Sequence, residues 1–180
     1  MKKLFLLVAA FVFFNNIASA QAKNKFQFSL GADITYVSNV DQAVFWGAGY
    51  GGSVQASYFF SEKVSGSFLA GYSAYPGVSR FGGDIVPAIK IIPVRAGVNY
   101  FVYKELYIAA QVGAGFFNTS GIGATSSFDF NGSSFSYSPQ LGYQFKIKGK
   151  KRIDLSAKYE AYLKTPKNFY AAGGRVAYIF

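Results

Sequence analysis

The sequence predicts an all-β fold: an eight-stranded antiparallel up-and-down barrel that crosses a membrane. Three observations predict it. Beyond the first twenty residues, eight stretches alternate an apolar or aromatic side chain with a small or polar one. That period of two marks strands whose faces meet different surroundings. The charges within those stretches, Lys25, Asp33, Arg95, Asp154, Lys158, Glu160 and Arg175, all fall on the polar face. That polar face is otherwise mostly Gly, Ser, Ala and Gln. It is too sparsely charged for a water-washed exterior and suits the narrow lumen of an eight-stranded barrel.

Residues 1–20 are set apart as a secretory signal peptide, and residues 21–180 as the barrel domain. Lys2-Lys3 is a basic start, Leu4 to Phe14 is an unbroken apolar run of eleven, and Ala18-Ser19-Ala20 is a small-residue cleavage site, with cleavage expected after Ala20. Eleven residues are too few to span a bilayer as a helix. The chain has no Cys, so no disulfide framework supports it. Without Lys2 and Lys3, 16 basic residues stand against 8 acidic ones, a formal charge of +8. For an exported chain this points to anionic lipid headgroups or cell-wall polymers, and away from nucleic acid.

The strands are expected in the following order. Lys25–Tyr36 turns Phe26, Phe28, Leu30, Ala32, Ile34 and Tyr36 to one face, with Asp33 on the other. A loop, Ser38–Gly47, carries the only Trp, Trp46, and leads into Tyr50–Phe60. Ser61-Glu62-Lys63 is a tight turn into Val64–Ala74. A longer loop, Tyr75 to about Val86, precedes a strand ending Val94–Phe101, and Val102–Glu105 is again a short turn. Leu106–Phe116 is the fifth strand, and Phe117–Ser133 the longest loop. Ser134–Phe145, a basic turn Lys146–Arg152, and Ile153–Tyr162 follow. Leu163–Lys167 leads to the last strand, in which Tyr170, Ala172, Gly174, Val176, Tyr178 and Phe180 share a face opposite Arg175. Pro93 and Pro139 each remove a ladder hydrogen bond, so a bulge or kink is expected at each.

Long and short connections alternate, as in an even-numbered membrane barrel with turns on the inner side and loops on the outer. A soluble lipocalin-like barrel binding an apolar ligand also alternates, but with its apolar face inward. The aromatic placement separates the two. Tyr58, Phe60, Tyr100, Tyr143, Phe145, Tyr178 and Phe180 cluster at the short-turn ends, and Tyr36, Tyr72, Phe116, Tyr137 and Tyr170 toward the long-loop ends. Two aromatic girdles around an aliphatic belt is a membrane-barrel arrangement.

The stretches Ile92–Phe101, Tyr137–Tyr143 and Arg175–Phe180 resemble the small bacterial outer-membrane β-barrels of OmpA/OmpX type, the porin family, with the likeness running from Lys25 to Phe180. The resemblance implies an outer-membrane location, contact with the barrel-insertion machinery, and an assembly signal formed by Tyr178 and Phe180 in the terminal strand. It does not extend to a peptidoglycan-binding domain.

Catalytic chemistry is not encoded in a recognisable way. Enzymes on barrels of this kind use a His as general base, and this chain has none. No Ser-centred nucleophile motif occurs, and no metal or cofactor site is expected. The run Gly47–Gly52 opens no helix and does not read as a phosphate loop. Phe45 with Trp46 is read as an interfacial anchor rather than a surface binding tip. Asn118-Thr119-Ser120 and Asn131-Gly132-Ser133 match a glycosylation pattern by coincidence. Counted from the strand ends, Asp33, Arg95, Lys158, Glu160 and Arg175 reach similar heights, so a buried charge cluster across the lumen is expected. The function expected is structural or surface contact through the long loops, with an unidentified extracellular ligand, membrane lipid around the wall and a monomeric state. A small transport pore is the alternative.

Overall fold

The computed structural model of the chain describes residues 25–43, 45–77, 86–120, 131–149, 151–164 and 167–180. The signal-peptide assignment therefore lies outside the described residues. Eight strands are formed: β1 Phe26–Val37, β2 Ala48–Phe59, β3 Val64–Tyr75, β4 Ala88–Tyr103, β5 Leu106–Ser120, β6 Gly132–Lys148, β7 Lys151–Leu163 and β8 Phe169–Ile179. A single helical turn, α1 (Val40–Ala43), sits between β1 and β2. Each strand pairs antiparallel with the next, and β8 closes on β1. Closure leaves no open sheet edge, so every strand has a hydrogen-bonded neighbour on both sides.

The polarity is inverted relative to a water-soluble barrel. Leu30 is 57 % exposed and Val176 54 %, whereas Arg95 and Glu160 are each 1 % exposed. Outward Phe26 and Tyr58, Tyr143 and Phe145, and Tyr178 and Phe180 pack ring against ring at the short-turn rim. Tyr159 and Tyr170 stack at the loop end. Only a hydrocarbon surrounding accepts that distribution.

The strands run further than the sequence pattern indicates. β5 continues to Ser120 and β6 starts at Gly132, so both ends of the expected Phe117–Ser133 loop are sheet, while β4 begins at Ala88, beyond the expected Tyr75–Val86 loop. Ile89, Ile91 and Phe117 alternate inward there and are fully or nearly buried. Their packing outweighs the Pro, Ser and Gly around them. Likewise, most of the expected basic turn is strand: Lys146 pairs with Arg152 and Lys148 with Lys151.

The prolines produce no bulge. Partners on the β3–β4 ladder skip from Ala70↔Val94 to Ser73↔Ile91, and on the β6–β7 ladder from Tyr137↔Ala161 to Gln140↔Lys158, both in unchanged register. Pro93 and Pro139 keep their pairing on the other side, to Gly115 and Ala110. A missing N–H costs contact with one neighbour only, and the second neighbour holds the register. The register shifts instead at Phe101/Tyr103 and Lys146/Lys148, at the short-turn rim, where bulges commonly end a ladder.

Candidate functional site

Among the described residues, the lumen is where buried polar chemistry gathers. It is built in three layers, because each strand contributes its inward residues at successive heights.

The turn-side layer is aromatic. Phe101, Tyr107 and Ala109 form a buried cluster with Phe59 against it. The rings of Phe59 and Phe101 lie 5.6 Å apart, and those of Phe101 and Tyr107 5.5 Å. Tyr107 donates its hydroxyl hydrogen to Asp154 Oδ1 at 3.1 Å, joining this layer to the next.

The middle layer is charged. Arg95 on β4 reaches across to Glu160 on β7, with Nη1 to Oε1 at 2.7 Å, and its Nε donates to Ser136 Oγ at 3.1 Å. Lys158 bridges two carboxylates, at 2.6 Å from Asp33 Oδ1 and 3.2 Å from Glu160 Oε1. Ser53 donates to Asp33 Oδ2 at 2.8 Å and accepts from Arg175 Nε at 2.9 Å. Arg175 Nη1 stands 3.9 Å from Asp154 Oδ1. Three basic residues thus balance three acidic ones. That balance is what burial requires, since an unpaired charge in a low-dielectric interior is costly. Amide side chains add to the inner hydrogen bonds: Gln140 donates to Gln111 Oε1 at 3.0 Å, and Asn99 to the Ser65 hydroxyl oxygen at 3.0 Å.

The loop-side layer is apolar. Trp46, Tyr75, Ile89, Ile91, Phe117, Tyr162 and Phe169 belong to one buried cluster. Tyr75 meets Phe169 edge-on at 5.0 Å, and Phe117 meets Tyr162 edge-on at 5.2 Å. Arg95 lies 5.0 Å from the Tyr162 ring centroid, a cation–π contact between this layer and the charged one. Gln42 from α1 donates to the Asn168 carbonyl oxygen at 2.8 Å, tying the β1–β2 loop to the β7–β8 loop.

Trp46 corrects an expectation. It is 2 % exposed and donates from Nε1 to the Pro87 carbonyl oxygen at 2.9 Å. It is therefore neither a headgroup anchor nor a surface tip, and it closes the loop-side mouth. Phe45 packs beside it, partly buried. The cause is tertiary. Trp46 bridges to Gly77, and the fold of the β1–β2 loop turns the indole inward.

Three inward tyrosines lie directly over inward glycines. A Cβ on Gly49 would meet the Tyr75 ring at 2.3 Å, on Gly115 the Tyr162 ring at 2.4 Å, and on Gly142 the Tyr107 ring at 2.4 Å. Within the Gly47–Gly52 run, close packing along β2 requires Gly49, under the Tyr75 ring, and Gly51, against the Tyr72 carbonyl oxygen, whereas a Cβ on Gly47 would meet nothing within 4 Å. At the turn-side mouth a void of about 20 Å³ remains, lined by Gln55, Asp154 and Arg175 among others, room for about one water.

Of the sequence-selected residues, Asp33, Arg95, Lys158 and Glu160 form one contiguous group. Arg175 joins it through Ser53 and does not touch Glu160. Asp154 and Ser53 belong to the arrangement as well; the alternation places Asp154 on the polar face but does not bring it to this cluster. Asp154 stands two residues from Ser156, the register partner of Arg175, a diagonal relation visible only once the register is known. Tyr178 is partly exposed and Phe180 51 % exposed on the outer wall at the turn-side rim. Asn118 lies in β5, and Asn131 Oδ1 accepts from the Thr119 amide at 2.8 Å. Among the described residues no group of His, Cys, Asp and Glu is placed to hold a metal.

No protein-family model matches the chain, and no curated protein matches it in sequence. Solved structures do match in fold. Neisserial surface protein A superposes with a TM-score of 0.61 at 16 % identity, covering 86 % of this chain and 94 % of that one. The attachment invasion locus protein Ail of Yersinia pestis gives 0.55 at 18 % identity, covering 87 % and 98 %. The N-terminal β-barrel domain of Pseudomonas aeruginosa OprF gives 0.51 at 16 % identity, covering 86 % and 97 %. The chain has the fold of the small eight-stranded barrels of bacterial outer membranes.

Proposed function

We propose that this protein is a non-enzymatic outer-membrane barrel whose role is structural or one of surface contact through its loop end. The observation that carries this reading is the closed lumen: an aromatic layer at one mouth, a neutral ion network in the middle and an apolar layer at the other. Such a barrel is a rigid stem, and the segments free to vary are the loops it presents. The absence of any His supports a non-catalytic role. The partners that follow are membrane lipid around the wall, the insertion machinery during assembly, and an extracellular ligand at the loops, with the barrel acting as a monomer. The amino-terminal segment would act as the export signal, removed after Ala20.

The test is crosslinking on whole cells from tags placed in the β3–β4 and β5–β6 loops, with a loop-deleted barrel as control. Loop-dependent capture of a surface component supports the contact role. The pore alternative is tested in planar bilayers. The filled lumen is expected to give no reproducible unitary conductance, and a stable open channel would overturn the reading.

A further inference from the structure

The charge of residues 21–180 is unevenly spread along the barrel axis. The lumen holds three basic and three acidic residues and is neutral. By sequence, the connections and ends on the loop side hold four basic residues, Arg80, Lys90, Lys164 and Lys167, against three acidic ones, Asp41, Asp84 and Asp129. The turn side, with the segment before β1, holds nine basic residues against Glu62 and Glu105. By chain position, +7 of the +8 excess therefore belongs to the turn-side segments.

The position of those charges matters as much as their number. Lys25, Lys63, Lys104, Lys146 and Lys151 are exposed. Each stands within three residues of an outward apolar side chain: Phe26, Phe60, Tyr103, Phe145 and Ile153 are all exposed at the same rim. Lys104 rests its ammonium 5.1 Å from the Tyr103 ring centroid. Lys146 pairs with Glu105 at 2.6 Å while remaining 64 % exposed, and that hydrogen bond holds the Glu105 carboxyl below its usual range. Apolar side chains at the edge of a hydrocarbon band with ammonium groups just beyond it form a collar at headgroup depth.

We propose that this collar binds anionic phospholipid headgroups of the leaflet on the turn side, with Lys63, Lys104, Lys146 and Lys151 as the principal contacts. An anionic cell-wall polymer has the right charge but no use for the aromatic ring. A lipid phosphate at the same depth as the rim meets both features at once. The proposal rests on the reading that the barrel spans a membrane. A lysine beside an anionic headgroup favours association about fivefold, which is about 1 kcal/mol. The effect is screened beyond a Debye length.

The experiment uses the folded protein in phosphatidylcholine vesicles with and without phosphatidylglycerol. Heat-modifiable mobility reports folding, and spin-labelled phosphatidylglycerol and phosphatidylcholine report which lipid the wall retains. The native protein is expected to prefer the anionic lipid about fivefold or more, with the preference falling as salt rises. Joint Lys63→Gln, Lys104→Gln, Lys146→Gln and Lys151→Gln substitution should abolish most of it, while Lys90→Gln with Lys167→Gln should not. Equal retention of both lipids by native protein, or equal loss in the two variants, would overturn the proposal while leaving the barrel intact. Salt-sensitive binding to isolated peptidoglycan that needs the four lysines, without lipid selectivity, would overturn it in favour of the polymer. Absence of a folded form in any vesicle would overturn the membrane reading and this proposal with it. If the four-lysine variant alone fails to fold, the salt titration of native protein decides.

Discussion

Replacing Glu160 by Gln isolates the central ion network. The side chain keeps its shape and one acceptor oxygen, but the lumen goes from three charges of each sign to three positive and two negative. Arg95, 1 % exposed, loses its carboxylate partner at 2.7 Å, while Lys158 keeps Asp33 at 2.6 Å. Breaking a buried pair from one side costs about 3–5 kcal/mol. Two features place this case at the low end. Lys158 retains its second carboxylate, and Glu160 Oε2 already lacks a hydrogen-bond partner among the described residues. A loss of about 3 kcal/mol, with a urea dependence of roughly 2 kcal/mol per molar, lowers the midpoint by about 1.5 M. The assay is urea unfolding in detergent micelles, followed by far-ultraviolet circular dichroism and by gel mobility without heating. Adding Arg95→Met to Glu160→Gln removes the stranded cation and should recover part of the loss. Glu105→Gln at the exposed rim pair is the reference and should move the midpoint far less. If Glu160→Gln shifts the midpoint no more than Glu105→Gln, the lumen is wet and its charges act independently. The argument from burial would then be wrong.

Three other outcomes are expected. Phe180→Ser should leave export intact but lower the amount of heat-modifiable barrel in the outer membrane, and unchanged levels would count against an assembly role for Tyr178 and Phe180. Gly115→Ala drives a methyl group into the Tyr162 ring, 2.4 Å from its nearest carbon, and overpacking of this kind costs about 1–3 kcal/mol, read as a lower urea midpoint. Trp46 should emit at short wavelength and resist quenching by brominated lipids, since it faces the closed mouth and not the bilayer; strong quenching would restore the interfacial placement.

The alternation of side chains determined much of this protein directly. Leu30 against Asp33, Val98 against Arg95 and Val176 against Arg175 show which residues face hydrocarbon and which face the lumen. A one-residue slip would put an arginine into lipid, and so the pattern fixes strand number, facing and membrane class together. Candidate lumen charges follow from the same rule, because only four strands, β1, β4, β7 and β8, carry charge on the inner face apart from the turn ends. Sequence could not supply the pairing across the barrel. Arg95 and Glu160 are 65 positions apart and three strands distant, and their contact depends on closure and stagger. The same holds for Ser53 between Asp33 and Arg175, and for Asp154 beside Arg175. The two inner caps were hidden for a related reason. Trp46 and Phe117 sit in stretches whose Gly and Ser content reads as loop, and they are buried because the loop-side ends of β1, β3, β4, β5, β7 and β8 converge on one mouth. Alternation is a local property and is written residue by residue. Register, closure and the filling of a lumen are set by the whole ring of strands at once, and only the assembled barrel decides them.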